Sequence, residues 1–274
     1  MGYESIEVSV DSKVAHIRLS RPERMNALAA TFWRELPAAV RELDAGGGVR
    51  AAVISSTGKH FTAGIDLAMF ENEPALDTST IAGRQRFRAK LIELQDAFHA
   101  LAGARFPVIA AVQGGCIGGG VDFVSACCLR YATRDAWFAI QEINLGMMAD
   151  VGTLNRMPKQ IPEAVMRELA YTGDRLSAER AERIGFVNGL FDTHEALVAG
   201  ALEVARRIAA KSPVAGAATK GVISHARDHA VADSFAYLNA LQPGIFSIDD
   251  IRRSVAAMKA RTPVEFEDLP PLRT

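Results

Sequence analysis

The sequence predicts an α/β protein in which strand–strand–helix units recur and are followed by a helical C-terminal segment. Strand-like and helix-like segments alternate through the first two thirds of the chain, whereas residues 194–274 contain wide apolar helical faces and little strand-like sequence. A hydrophobic content of 49% over 274 residues is sufficient for a well-buried core. We therefore divide the chain into a core of strand–strand–helix units at residues 1–193 and a helical C-terminal segment at residues 194–274.

The first unit occupies the N-terminal part of the chain. Residues 5–10 and 14–19 alternate apolar and polar side chains around a short turn, which is typical of a β-hairpin. Arg21 and Pro22 end the second strand. We predict a helix over residues 31–43, ended by the glycines at 46–48, and then a buried strand over residues 51–55.

The same pattern then starts again. The loop GKHFTAGIDL (residues 58–67) and a polar stretch at 71–80 precede a predicted amphipathic helix at 81–101. An apolar strand at 107–112 leads directly into a glycine-rich loop. We predict a short helix at 121–126 and strands at 129–133 and 136–140. The loop that follows these strands carries Glu142 and Asp150.

The last third is predicted to be mostly helical. Helices are expected at 151–157 and 163–171, with Ser177 as the N-cap of a turn and a strand at 186–191. Four further helices are predicted at 195–210, 214–229, 231–241 and 248–260. Because their apolar faces have little β-structure to pack on, we expect these four to cover a neighbouring subunit.

Composition and charge exclude several classes of function. The net charge of −1 and a pI near 6.6 provide no long-range field for nucleic acid or an anionic membrane. No apolar run reaches membrane-spanning length, and the N-terminus lacks a signal-peptide pattern, so we expect a cytoplasmic protein. Three cysteines without a C-x-x-C pair indicate neither a disulfide framework nor a zinc site. Motifs of metalloproteases, serine hydrolases and P-loop proteins are absent.

Two glycine-containing loops directly follow predicted strands. They are Ala63, Gly64, Ile65 and Asp66 in the first loop, and Gly118, Gly119 and Gly120 in the second. Two convergent backbone N–H groups can stabilise a developing oxyanion on a carbonyl or thioester. The alternative is that each loop is a tight turn before a helix. A dinucleotide fingerprint is disfavoured, because Ile117 stands where that motif requires glycine.

Three acidic residues, Asp122, Glu142 and Asp150, follow the second loop. Asp122 falls in the first turn of an apolar helix, where desolvation should raise the pKa of its carboxyl group and prepare it for proton transfer. Each acid also has a structural alternative. Asp122 is suited to a helix dipole, Glu142 to an ordinary surface loop and Asp150 to an N-cap.

With these residues, the sequence resembles the crotonase (enoyl-CoA hydratase/isomerase) family over nearly its whole length. The segments that carry the resemblance are RPERMNAL (21–28), GKHFTAGIDL (58–67), PVIAAVQGGCIGGGVDF (107–123) and LSAERAERIGFVNGLF (176–191). The resemblance implies a crotonase-like spiral of repeated ββα units with a helical C-terminal trimerisation segment. It implies a homotrimer or a dimer of trimers.

The resemblance also implies the kind of ligand. Family members bind acyl-CoA thioesters through two backbone N–H groups, which correspond to Ile65 and Gly119 in this sequence. Ala63, Gly64, Asp66 and Gly118 are then the neighbouring substrate-binding residues. No metal is implied, and no cofactor is implied, because coenzyme A is part of the substrate.

The acids resemble those of one subgroup, the Δ3,5-Δ2,4-dienoyl-CoA isomerases. Enoyl-CoA hydratases have glutamate at the positions of both Asp122 and Glu142, and glycine at the position of Asp150. The resemblance implies that Glu142 takes a proton from C2, that Asp150 delivers one to C6, and that Asp122 tunes or holds Glu142. The alternatives are an enoyl-CoA hydratase or 3,2-enoyl-CoA isomerase on another acyl-CoA, and a non-catalytic acyl-CoA-binding subunit.

The pocket around the acids is expected to be dry. Six apolar residues are expected to exclude water: Phe123, Trp137, Ile143, Leu145, Met147 and Met148. A dry pocket favours isomerisation over hydration, which needs a bound water. We expect residues 70–85 to line the pocket for the acyl tail.

Overall fold

The computed structural model describes residues 2–72 and 78–272, so part of the predicted tail-pocket region lies outside the described residues. The strands are β1 (Ile6–Asp11), β2 (Val14–Leu19), β3 (Ala51–Ser56), β4 (Val108–Val112), β5 (Gly115–Ile117), β6 (Leu129–Thr133), β7 (Trp137–Ala139), β8 (Leu176–Ser177) and β9 (Gly189–Phe191). The helices are α1 (Phe32–Gly46), α2 (Ala68–Asn72), α3 (Ile81–Gly103), α4 (Gly119–Ser125), α5 (Thr153–Arg156), α6 (Glu163–Thr172), α7 (Ala178–Arg183), α8 (His194–Ala209), α9 (Pro213–Asp228), α10 (Val231–Ile245) and α11 (Ile248–Ala260).

The strands form two sheets. The large sheet has the order β1-β2-β3-β4-β6-β9 and is parallel except for the β1–β2 hairpin. The small sheet has the order β5-β7-β8, with β5 and β7 parallel. Successive units place their first strand in the large sheet (β4, β6) and their second in the small sheet (β5, β7). The predicted α/β class and the spiral of ββα units are therefore confirmed.

The large sheet is buried on both faces, which explains the apolar sequence of its central strands. Every residue of β3 is buried. Ala52 and Ile54 face the main core, whereas Ala51 and Val53 face a second cluster on the opposite side. The main core includes a cluster of aromatic rings from α1, α3 and α4 and the loop after β3: Phe32, Trp33, Phe61, Phe98 and Phe123. This cluster supports the helix that carries Asp122.

One prediction about the C-terminal helices was wrong for α8. We expected all four to face a neighbouring subunit, but α8 packs on the large sheet and buries Leu197, Ala201 and Ala205 against Val53 and Ile109. Its small alanines allow the helix to approach the sheet closely. By contrast, α10 and α11 keep large apolar side chains exposed. The division at residue 193 stays a prediction.

Several element boundaries differ from the prediction. The glycine-rich loop contains the short strand β5, which has too few residues to show a pattern. The strand predicted at 186–191 begins only at Gly189, because the N–H groups of Phe186 and Val187 both donate to Ala181 O of α7 and not to a neighbouring strand. The helix predicted at 151–157 begins at Thr153, after Gly152 with φ +141°. Among the described residues, no helix is long and apolar enough to cross a membrane.

Candidate active site

Three chain segments leave the same end of the small sheet side by side. Thr62 forms a parallel bridge with Cys116 of β5, and β5 pairs in parallel with β7. Because parallel neighbours end at the same edge, the residues that follow each of them come together there. These are residues 63–66, residues 118–120 and the 3-10 helix Gln141–Leu145. The edge therefore gathers both predicted oxyanion loops and Glu142.

Each of the two loops presents a backbone N–H group without an acceptor. The other N–H groups of the first loop donate within the protein: Ala63 to Met25 O, Gly64 to Thr62 Oγ1 and Asp66 to Leu28 O. Across residues 2–72 and 78–272, no acceptor is found for the N–H of Ile65 or of Gly119. A Cβ built on Gly119 would lie 3.6 Å from Ile65 N, so the two donors are adjacent. This pair can stabilise an oxyanion.

The other predicted substrate-binding residues shape these loops. Gly64 has φ +87°, and a Cβ there would lie 2.6 Å from Ile117 O, so glycine lets the two loops approach each other. Gly118 donates its N–H to Ala139 O and thereby joins the second loop to the end of β7. The Asp66 carboxylate accepts the N–H of Ala68, the first residue of α2, at 3.1 Å.

Asn26 and Thr62 were not among the predicted site residues, although both support the Ile65 loop. The buried Asn26 side chain accepts the Arg21 N–H at 2.9 Å and donates to the carbonyls of Thr57 and His60 at 2.7 and 3.0 Å. Thr62 Oγ1 donates to Asn26 O at 2.7 Å. Asn26 has φ +52°, a conformation that asparagine tolerates better than most residues. The signal in the sequence that could have pointed to Asn26 is its residue type, because asparagine is common in turns.

Glu142 lies directly against the second loop. A Cβ built on Gly118 would lie 2.9 Å from Glu142 Oε1, so the carboxyl group is one residue away from the Gly119 N–H. Its Oε2 is buried and has no hydrogen-bond partner among the described residues. Burial, reinforced by the charge of Asp122, raises the pKa of Glu142 to about 7. A carboxyl group with this pKa is suited to proton transfer near neutral pH.

Asp122 lies in the first turn of α4 and is 1% exposed. Burial raises the pKa of its carboxyl group to about 6, although a hydrogen bond from the Thr153 N–H to Oδ1 at 2.6 Å opposes the shift. The charge of Asp122 acts on Glu142, but its hydrogen bond goes to Thr153, three residues after Asp150. Asp122 thus interacts electrostatically with Glu142 and is hydrogen-bonded to the segment that follows Asp150.

Asp150 is half-buried in the segment between the 3-10 helix and α5. Burial raises the pKa of its carboxyl group, and its charge in turn raises the pKa of both Asp122 and Glu142. The N-cap of α5 is Gly152, so Asp150 does not have the capping role considered above. The three predicted acids therefore form one electrostatically coupled cluster.

With this geometry in place, sequence comparison decides the family. The family profile described as enoyl-CoA hydratase/isomerase matches residues 9–269. The chain belongs to this family. The mitochondrial Δ(3,5)-Δ(2,4)-dienoyl-CoA isomerase of Mus musculus is 40% identical over 264 residues, covering 94% of this chain and 81% of the relative. The peroxisomal Δ(3,5)-Δ(2,4)-dienoyl-CoA isomerase of Arabidopsis thaliana is 35% identical and covers 97% and 98%. The predictions of the family, its isomerase subgroup and an isomerase enzyme are confirmed.

Solved structures of the enoyl-CoA hydratase/isomerase family support the fold. A putative enoyl-CoA hydratase from Streptomyces coelicolor A3(2) superposes with a TM-score of 0.88. It is 26% identical, and the match covers 97% of this chain and 95% of that chain. The crotonase-like fold predicted from the sequence is confirmed by this similarity.

The apolar residues expected to keep this family site dry differ in exposure, and Trp137 and Met147 are only partly buried. Phe123 is fully buried in the aromatic cluster and is part of the core. Ile143, Leu145 and Met148 are exposed by 41%, 51% and 69% in the single chain. They can exclude water only when a ligand or a second chain covers them.

A cavity of about 850 Å³ lies elsewhere, between α9 and the end of α4. Lys220, Arg130 and Cys127 are among its lining residues, but none of the three acids is. Lys220 donates to the carbonyls of Leu101 and Phe106 near the end of α3, a structural role for a cation. We therefore place the candidate active site at the acids and not in this cavity.

Proposed function

We propose that the protein isomerises 3,5-dienoyl-CoA to 2,4-dienoyl-CoA in fatty-acid degradation. The observation that carries this proposal is the coupled cluster of Asp122, Glu142 and Asp150 beside two free N–H donors. The substrate class is supported by the relatives named as Δ(3,5)-Δ(2,4)-dienoyl-CoA isomerases.

The reaction requires two proton transfers at separate carbons. Glu142 removes a proton from C2, and the electron pair spreads through a conjugated dienolate to the thioester oxygen. The N–H groups of Ile65 and Gly119 stabilise this oxygen, each by about 3 kcal/mol. Asp150 then delivers a proton to C6, which leaves double bonds at C2 and C4.

Two separate carboxyl groups suit this reaction better than one. C2 and C6 lie roughly 5 Å apart in an extended conjugated chain, so a single base would have to move between them. Glu142 lies beside the N–H pair, where the thioester end would bind, and Asp150 lies in a different segment. Asp122 connects them through Thr153 and through its charge.

The test is a substrate panel of 3,5-dienoyl-CoA and 2-enoyl-CoA thioesters of several chain lengths. Isomerisation is followed in the ultraviolet by the absorbance of the conjugated 2,4-dienoyl thioester. No absorbance change at high enzyme concentration would exclude the proposal. Hydration of crotonyl-CoA much faster than diene isomerisation would instead favour a hydratase, the activity after which the Streptomyces protein is named.

The remaining properties follow from the same proposal. We propose an acyl-CoA thioester as the binding partner, with no metal or separate cofactor, because the thioester itself stabilises the dienolate. We propose a homotrimer or a dimer of trimers, as the family resemblance implies, and the exposed apolar side chains of Phe235, Ile251 and Met258 on α10 and α11 support an interface between chains. A cytoplasmic location is proposed from the sequence, although the two isomerase relatives are named as mitochondrial and peroxisomal. Light scattering and subcellular fractionation test these two points.

A further inference from the structure

The segment that carries Asp150 depends on other elements for its position. Residues 146–152 contain no helix or strand. The segment lies between Gly146 with φ +74° and Gly152 with φ +141°, conformations that glycine adopts without strain. The Asp150 carboxyl group interacts with its own backbone N–H, so its direction follows the backbone, and the position of that backbone depends on contacts from other elements.

Side chains from three elements hold the backbone of this segment and of Thr153, the residue that follows it. Gln95 of α3 donates its Nε2–H to Asp150 O at 2.8 Å. Arg156 of α5 donates to Val151 O at 3.4 Å and packs against Gly152. Asp122 of α4 accepts the Thr153 N–H at 2.6 Å. Gln95 is the contact made directly on the residue that bears the carboxyl group.

We propose that Gln95 is a positioning residue for Asp150, an inference that rests on the proposed function. Its amide fixes the backbone of Asp150 and so fixes where the carboxyl group meets C6. Asp122 is also in contact with this segment, but its charge acts on Glu142. Gln95 is neutral, so its role can be separated from the electrostatics of the acids.

An uncharged amide at position 95 agrees with the protonated state that Asp150 needs for the second proton transfer. A lysine or arginine here would place a positive charge near Asp150 and favour its ionised form. Asp150 must carry a proton in order to deliver one to C6. A glutamine holds the carbonyl oxygen without changing the charge around the carboxyl group.

The experiment uses Gln95→Met, which keeps the length of the side chain and removes the donor. With 3,5-dienoyl-CoA, we expect kcat to fall by about 10- to 100-fold, because a small misplacement of a reacting group is costly. KM should stay within a few-fold of wild type. Exchange of the C2 proton in D₂O, which needs Glu142 but not Asp150, should also stay within a few-fold. A wild-type kcat, or equal losses of kcat and C2 exchange, would overturn the proposal.

The matched control is Gln160→Met. Gln160 Nε2 also donates to a backbone carbonyl at 2.8 Å, that of Ser125, so this variant loses a comparable hydrogen bond away from Asp150. Gln160→Met should keep the wild-type ratio of kcat to the rate of C2 proton exchange. A control variant with the same selective loss of kcat would show that the effect is not specific to Gln95, and would overturn the proposal.

A crystal structure of Gln95→Met tests the geometry independently of any activity. We expect the Asp150 carboxyl group to be displaced relative to Glu142, which should not move. An unmoved Asp150 overturns the positioning role even if the protein proves to be a dienoyl-CoA isomerase. Conversely, absence of diene isomerisation by the wild-type protein overturns the proposed function. The crystal structure of Gln95→Met then still shows whether the Gln95 hydrogen bond holds Asp150 in place.

Discussion

Gly118 and Glu142 are in such close contact that a side chain at position 118 would meet the carboxyl group. The Cβ of an alanine would lie 2.9 Å from Glu142 Oε1 and 3.5 Å from its Cδ. The backbone of Gly118 has φ +50°, which also favours glycine. This residue therefore sets the distance between the proposed base and the oxyanion donor of Gly119.

Gly118→Ala should reduce activity far more than its effect on stability would explain. We expect kcat for diene isomerisation to fall on the order of 100-fold, because Glu142 must move from its position beside C2. The free energy of unfolding should fall by about 1–3 kcal/mol from the backbone conformation. Gly185→Ala is the control, since Gly185 has φ +80° and an added Cβ would have nothing within 4 Å. Equal activities of the two variants would contradict this prediction.

Local patterns explain which parts of the site could be predicted. The two loops could be located because each follows an apolar strand and contains glycine, and the three acids because they interrupt an apolar stretch. Gln95 could not be found this way. It lies within the long helix α3 and contacts Asp150 O across 55 positions of sequence, a relationship that no local pattern contains. The bridge between Thr62 and Cys116, which brings the loops together, is likewise a tertiary contact.

The C-terminal helices show the same limitation in the fold. Their lengths and positions could be predicted from apolar periodicity, and the bounds of α11 agree with the prediction. Periodicity does not identify the surface that covers an apolar face. The large sheet covers α8, although the sequence of α8 alone gave no reason to separate it from α9, α10 and α11.

Glu142→Gln and Asp150→Asn should each abolish turnover and leave acyl-CoA affinity within a few-fold. Both substitutions keep the shape of the side chain but remove the group that exchanges a proton. Binding of a saturated acyl-CoA, measured by calorimetry, is the control for intact structure. Only Glu142→Gln should also lose C2 proton exchange in D₂O. A wild-type rate for Asp150→Asn would exclude the two-acid mechanism.

Asp122→Asn should shift the pH dependence of the reaction. Glu142 must be ionised to accept a proton, so kcat/KM should rise with pH through a pKa of about 7. The charge of Asp122 contributes to this raised pKa, and asparagine removes the charge while its amide oxygen can still accept the Thr153 N–H. The rising limb should therefore move to lower pH. Asp192→Asn removes an exposed surface charge as the control, and a limb that moves equally in both variants would contradict the prediction.

Glu142 should also make stability depend on pH. Its pKa is raised from 4.5 to about 7 in the folded state, so between these values the folded protein keeps a proton that the unfolded chain has lost. The contribution to stability is therefore complete below the unfolded pKa and falls as pH rises through the folded pKa.

Glu142→Gln should remove this dependence and stabilise the protein at alkaline pH. Relative to wild type, its gain in free energy of unfolding should be on the order of 2 kcal/mol larger at about pH 8 than at about pH 5. Urea unfolding of both proteins at the two pH values measures the difference. Glu265→Gln, which changes an exposed glutamate, should show no such gain. Glu142→Gln, which should abolish activity, should then also stabilise the protein at alkaline pH, because ionisation of the buried glutamate lowers the free energy of unfolding. A difference between variant and wild type that is the same at both pH values would show that Glu142 has no raised pKa in the folded protein.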